Sequence, residues 1–129
     1  MSIEQVIRES KVHVVTGRYA VAKVKGLNSI GSHFAVCQDS TETTVITEER
    51  HLPQIEAIAI ELWFRLIEIR VSQPFNAPGF LSAVSTAIAA AGVNVFIVST
   101  FSKDYVLLRE DDLDLGIQAL KGVGFQTED

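Results

Sequence analysis

The stretch FNAPGFLSAVSTAIAAAGVNVFIVST, residues 75–100, decides the fold. It contains no charged residue, and the uncharged run extends from Val71 through Ser102. Within it Leu81, Val84, Ile88 and Ala91 recur at spacings of three and four, the period of one helical face. Asn76 is placed to cap the helix and Pro78 to occupy its first turn, where no N–H is needed. Gly92 suits the C′ position, where the backbone turns left-handed. Val93 to Thr100 is a near-continuous apolar run that predicts a strand buried on both faces. The helix face opposite Leu81, Val84 and Ile88 carries Ser82, Ser85, Thr86 and Ala89, where an exposed face normally carries charge. The expectation is a helix covered on more than one side, by the first half of the chain or by a second chain, with the Pro-Gly corner left open.

Working outward, Trp63 to Val71 alternates. Trp63, Ile67, Ile69 and Val71 share one face, interrupted by Arg65, and Glu68 and Arg70 share the other, which predicts a half-exposed strand. Pro74 and Pro78 bracket the turn that follows. Downstream, Ser102-Lys103-Asp104 forms a tight turn and Tyr105 to Arg109 the returning strand. Glu110, Asp111 and Asp112 place negative charge at the start of a second helix, whose apolar face is Leu113, Ile117 and Leu120. Gly122 or Gly124 ends it, and Phe125 to Thr127 reads as a short last strand. The order is β-α-β-β-α-β.

The first half repeats that order with both helices shrunk. Val12 to Val15 and Tyr19 to Val24 read as strands broken at Thr16-Gly17-Arg18, and Lys25 to Ser32 as a loop. His33 to Gln38 and Thr43 to Thr47 form a hairpin about Asp39-Ser40-Thr41-Glu42. Glu48 to Pro53 is a turn or helix fragment, and Ile55 to Ile60 another strand. An internal repeat follows, with units over residues 1–60 and 61–129.

Composition narrows the function. With 129 residues, 47% of them hydrophobic, the chain builds one ordinary core or two small packed halves. A net charge of -5 and no basic patch argue against a nucleic-acid partner. MSIEQVIRES, residues 1–10, lacks the apolar core of a secretory signal, and the run from Ala87 to Val98 is too short to span a bilayer. A single cysteine, Cys37, forms no internal disulfide. The expectation is a soluble cytoplasmic protein without membrane partner.

A glycine opening a helix raises the question of phosphate. The segment lacks GxGxxG and GxxxxGK[ST], and no cation lies near it. The same physics suits a smaller anion, because the free N–H groups of a first helical turn attract a carboxylate. Gly79 admits a close backbone approach, and Asn76 offers an amide. Asp104, with Ser99 and Thr100 at the end of the neighbouring strand, is placed to receive an ammonium group. Asn-Ala-Pro-Gly is equally an ordinary cap and turn, and Asp104 an ordinary turn residue. His13, His33 and His51 show no metal-ligand spacing and read as structural or surface residues. Cys37, within the apolar strand FAVCQ, reads as a small packed hydrophobe. Arg18 and Tyr19, beside the Gly17 turn, are placed to face a ligand. No catalytic set, metal site or cofactor motif emerges, which argues against an enzyme.

At residues 76–95 the sequence resembles the ACT domain, a ferredoxin-like regulatory module that binds amino acids. Asn76, Pro78, Gly79, Phe80 and Leu81 match the family's entry into its first helix, and Gly92, Val93, Asn94 and Val95 match the opening of its next strand. Ser99, Thr100, Phe101, Asp104 and Tyr105, together with Thr16-Gly17-Arg18-Tyr19-Ala20-Val21, resemble more narrowly small stand-alone proteins with two tandem ACT-like units. The resemblance implies an α+β fold of two tandem ferredoxin-like βαββαβ units, the first with reduced helices. It implies a non-enzymatic regulatory module, often a homodimer, acting on a regulated protein partner. The ligand it implies is an amino acid or similar small molecule at a unit–unit interface. Carried onto this chain, the site comprises Asn76, Ala77, Pro78, Gly79, Phe80 and Leu81, with Ser99, Thr100 and Asp104 as partners. Asn76 stands where the family usually has an acid, and the first unit has no equivalent glycine corner. The alternative is the same scaffold serving as a ligand-free protein–protein interaction module.

Overall fold

A computed structural model of the chain describes residues 2–26 and 31–128. The chain divides into two compact units, one of residues 1–16 with 65–129, the other of residues 17–64. The expected division at residue 60 therefore differs at the N-terminus, where residues 1–16 belong with the C-terminal half. The reason is strand pairing: residues 11–14 pair with residues 67–70 on one side and with residues 126–128 on the other. The loop expected over residues 25–32 lies partly outside the described residues.

The unit of residues 1–16 and 65–129 opens with helix α1 (Ile3–Glu9). Ser2 caps it and Gln5 reaches back to the Ser2 amide, a reciprocal capping box. Val6 and Ile7 face inward. Strand β1 (Lys11–Val14) follows and pairs antiparallel with the long strand β5 (Ala57–Arg70), with Val12 opposite Ile69. The last strand, β8 (Gln126–Glu128), lies parallel to β1, with Lys11 opposite Gln126. On the other side of β5 lies β7 (Lys103–Arg109), and beyond it the edge strand β6 (Phe96–Ser99). The order β8-β1-β5-β7-β6 thus places an N-terminal strand between β5 and β8.

Helices α2 (Phe80–Ala90) and α3 (Leu113–Gly122) pack against each other and complete the core. Phe80, Val84 and Ile88 from α2 meet Ile67, Ile69, Val106 and Leu108 from the sheet and Leu120 from α3. Both helices end alike. In α2 the Gly92 amide donates to Ala89 and the Val93 amide to Ile88. In α3 the Gly124 and Phe125 amides do the same toward Lys121 and Leu120. Gly92 and Gly124 hold the left-handed φ values of 80° and 112° that this double closure requires. The acidic Glu110–Asp112 segment is a 3-10 turn leading into α3.

In the unit of residues 17–64, β2 (Tyr19–Val24), β3 (Ala35–Gln38) and β4 (Thr43–Glu48) form with the first part of β5 the order β3-β4-β2-β5. A 3-10 turn over Glu49–Gln54 joins β4 to β5. Ala22, Val24 and Val45 form its small core, with Ile55 packed on them.

Several expectations need correction. The strands expected over residues 55–60 and 63–71 are one strand of 14 residues, β5. β5 is also not half-exposed over its second part, because Glu68 and Leu66 are buried as well as Ile67 and Ile69. α2 turns Phe80 inward, one turn before Val84, in place of Leu81, which is exposed, and the helix begins two residues after Pro78. Its opposite face is open within the chain, with Ser82, Thr86 and Ala89 exposed. β6 is shorter than expected and, as an edge strand, exposes Phe96 and Ser99. Cys37 is exposed on the edge strand β3 and does not pack as a core residue.

Candidate functional site

The corner between β5 and α2 is built around a left-handed residue. Gly79 holds φ at 90°, where a side chain is strained, and serves as the helix N-cap without any side-chain cap. Asn76 does not cap the helix. Its own amide donates to the Gln73 carbonyl, closing a turn before Pro78. The Phe80 amide then donates to Ala77 and the Ala83 amide to Gly79. Helix geometry leaves the first-turn amides between them without an intrahelical acceptor.

This corner walls a cavity of about 240 Å³, and every residue lining it belongs to the unit of residues 1–16 and 65–129. Val71, Pro74, Ala77, Phe80 and Leu81 form its apolar walls, and Gly79 and Ser82 lie on the helix side. Asp104 enters from β7, where it stands opposite Ser99 of β6. Val106 and Leu108 point under the helices, so alternation turns Asp104 the same way, toward the start of α2. Among the described residues, the Asp104 carboxylate makes no hydrogen bond or ion pair.

Of the residues expected to form a site, the cavity brings together Ala77, Gly79, Phe80, Leu81 and Asp104. Asn76 and Pro78 lie exposed on the loop, outside its lining. Ser99 lies exposed at the end of β6, and Thr100 is engaged in the hairpin turn. Its amide and its hydroxyl both donate to the Lys103 carbonyl, at 2.8 and 3.2 Å. Val71, Pro74 and Ser82 join the lining unforeseen. Ser82 was legible as the third residue of the helix, and Val71 as the next inward position after Ile69. Beside the cavity's loop, Phe75 meets Phe101 of the hairpin edge to face, with centroids 5.0 Å apart. Their exposures of 69% and 78% make this an outward-facing aromatic pair.

The opposite face of the same sheet holds a charged cluster. Glu68, nearly buried, accepts from Lys103 Nζ and the Tyr105 hydroxyl, both at 3.3 Å, and from Arg70 Nε at 3.0 Å. Burial alone pushes the Glu68 carboxyl up, but the hydrogen bonds and charges of Lys103 and Arg70 outweigh it and hold it below the usual glutamate value. A carboxyl depressed in the folded state adds stability above its unfolded value of 4.5, and that stability is lost as pH falls through the folded value. A Glu68→Gln variant is therefore expected to melt below the parent at neutral pH, with the gap closing below about pH 4.5. Melting curves across an acid series measure it, and a gap that does not change with pH would contradict the account.

The remaining candidates are structurally engaged. The Arg18 guanidinium lies 4.1 Å from the Trp63 ring centroid and donates to Glu49 at 2.7 Å. Tyr19 is buried edge to face against Phe34. His33 shares a 2.9 Å hydrogen bond with Thr47. Among the described residues no group of three or more His, Cys, Asp or Glu is placed to hold a metal ion. No described helix is long and apolar enough to cross a membrane.

The geometry can be set against known proteins. No curated protein matches the sequence. Among solved structures, a protein of unknown function from Vibrio cholerae, described as a possible transport protein, is similar over 95% of this chain and 96% of its own. Its identity is 21% and its TM-score 0.79. A protein from Agobacterium tumefaciens is similar over 92% of both chains, at 20% identity and a TM-score of 0.78. The regulatory subunit of aspartate kinase from Thermus flavus is similar over 87% of this chain and 95% of its own, at 10% identity and a TM-score of 0.68. At these identities the likeness is one of fold, an α+β arrangement with a mixed sheet. The sequence itself matches a family model over residues 60–122, just under half of the chain. That segment carries most of β5 and all of α2, β6, β7 and α3, it includes every residue that lines the cavity, and the family it matches over residues 60–122 is the ACT domain.

Proposed function

We propose that this chain is a non-enzymatic regulatory module that binds an amino acid at the corner between β5 and α2. One observation carries the reading: the cavity joins the start of α2 to an unpartnered carboxylate, Asp104. A ligand carboxylate would meet the free amides of the first helical turn, and its ammonium group Asp104. The family match and the likeness to a kinase regulatory subunit support it. In this reading Asn76, Pro78, Ser99 and Thr100 frame the site. Residues 17–64 are a reduced ferredoxin-like unit, the first of a tandem pair, since β3-β4-β2-β5 is that fold's strand order. A second copy covers the uncharged open face of α2 and closes the cavity, and a partner protein in the cytoplasm reads the closed state.

The test is a thermal-shift panel of the twenty amino acids at millimolar concentration, with light scattering on the same samples. A ligand at 100 times its Kd adds about 2.7 kcal/mol, or several degrees for a chain of this size. At least one amino acid is expected to shift the melt, and the scattering mass to be that of a dimer. Gly79→Trp is expected to abolish the shift. Its strained φ lowers the unliganded stability by only about 1–2 kcal/mol, so a folded variant remains to be measured. An unchanged shift in that variant would remove the corner from the site.

The exposed Phe75–Phe101 pair supports a second reading, a protein-interaction module that uses the scaffold without a small ligand. A panel in which no amino acid shifts the melt would favour it.

A further inference from the structure

We infer that the ligand of this cavity is an amino acid with an uncharged aliphatic side chain, an inference that rests on the amino-acid reading above. The walls carry it. Val71, Pro74, Ala77, Phe80 and Leu81 are apolar, and Val71 and Phe80 are buried in the core. Asp104 is the one ionisable residue in the lining, and no Lys, Arg or His contributes to it. From Val71 to Ser102 the sequence supplies no charge at all.

Each alternative side chain meets a specific cost. An acidic side chain would bring a second negative charge toward Asp104 with no cation to offset it. A basic side chain would compete with the ligand's own ammonium for a single carboxylate and leave one cation desolvated. A hydroxyl or amide would face apolar walls, with Ser82 as its one side-chain partner besides Asp104, which the ligand's ammonium group occupies. An aliphatic chain loses nothing there and gains with each methylene buried. The volume of about 240 Å³ lies below the range typical of drug-sized ligands, which suits a small amino acid.

The experiment is isothermal titration of the full chain with glycine, alanine, valine, leucine, threonine, glutamate and lysine. Affinity is expected to rise from glycine to leucine by roughly fourfold for each buried methylene, with glutamate and lysine at least about tenfold weaker than leucine. Ala77→Val narrows one wall and is expected to lower the leucine-to-alanine affinity ratio, which a merely destabilised fold would not do. Tightest binding by threonine, glutamate or lysine, or a flat series from glycine to leucine, would overturn the inference while leaving the amino-acid reading in place. Binding by none of the seven, with a shift in the thermal panel only from amino acids whose side chains are charged, polar or aromatic, would equally overturn the aliphatic assignment alone. No binding or shift from any amino acid would overturn both.

Discussion

A fragment of residues 61–129 is expected to show no cooperative thermal transition, although it contains every element of a βαββαβ order. Its core is incomplete. Val6 and Ile7 from α1 and Val12 from β1 are at most 4% exposed and belong to the same cluster as Ile69, Val84 and Ile88. Burying three such side chains contributes about 5–9 kcal/mol at roughly 1.5–3 each. Whole-domain stability is only about 5–15 kcal/mol. The loss is also topological. Among the described residues β8 pairs with β1, so without β1 its backbone groups have no neighbour. Circular dichroism melts of the fragment and of the full chain decide it. A fragment that melts cooperatively within a few degrees of the full chain would show that residues 1–16 contribute little.

Phe80→Ala is expected to be the most damaging single change at the candidate site. The ring is 3% exposed, packs with Val84 and Ile88, and meets Phe125 edge to face with centroids 5.7 Å apart. Truncating a buried phenylalanine costs about 3–5 kcal/mol, on the order of ten degrees in Tm for a chain of this size. Because Phe80 also walls the cavity, the variant opens the site toward the core, and ligand binding is expected to disappear with the stability. Its neighbour Leu81 provides the contrast. It is 39% exposed and makes a wall but little core, so Leu81→Ala is expected to weaken binding at a cost within about 1 kcal/mol of stability. Denaturant unfolding of the two variants side by side measures the difference. Equal losses would mean that the inward and outward positions of α2 are assigned wrongly.

Much of the C-terminal half was legible because its signals are local. The three-and-four spacing through Val84 and Ile88, the glycine at position 92 and the alternation through Ile67 and Ile69 each act within a few residues, and the core contains those side chains. The corner was harder by one residue. Pro78 suits a first turn, but Gly79 turns left-handed after it, so the helix starts later and Phe80 takes the inward place given to Leu81. α1 was missed though its signal was present: Ser2 and Gln5 have capping-box spacing, with Ile3, Val6 and Ile7 behind them. Nothing local announces β1's neighbours. β2 follows it in sequence, yet its partners lie at residues 67–70 and 126–128. At the site, Asp104 was legible as the acid nearest the hairpin turn. The contact between Phe75 and Phe101 was not, because it joins two loops that no periodicity relates.

The place of β1 also bears on how the protein is made. During synthesis β1 emerges long before β5 and β8, its two partners, and must wait unpaired while the strands of residues 17–64 appear. Those intervening strands pair with near neighbours, β3 with β4 and β4 with β2, so their contacts are available first. The edges of β1 stay open to stray pairing until β5 and then β8 arrive, which makes the interval before the last strand the period in which this chain most needs protection from aggregation.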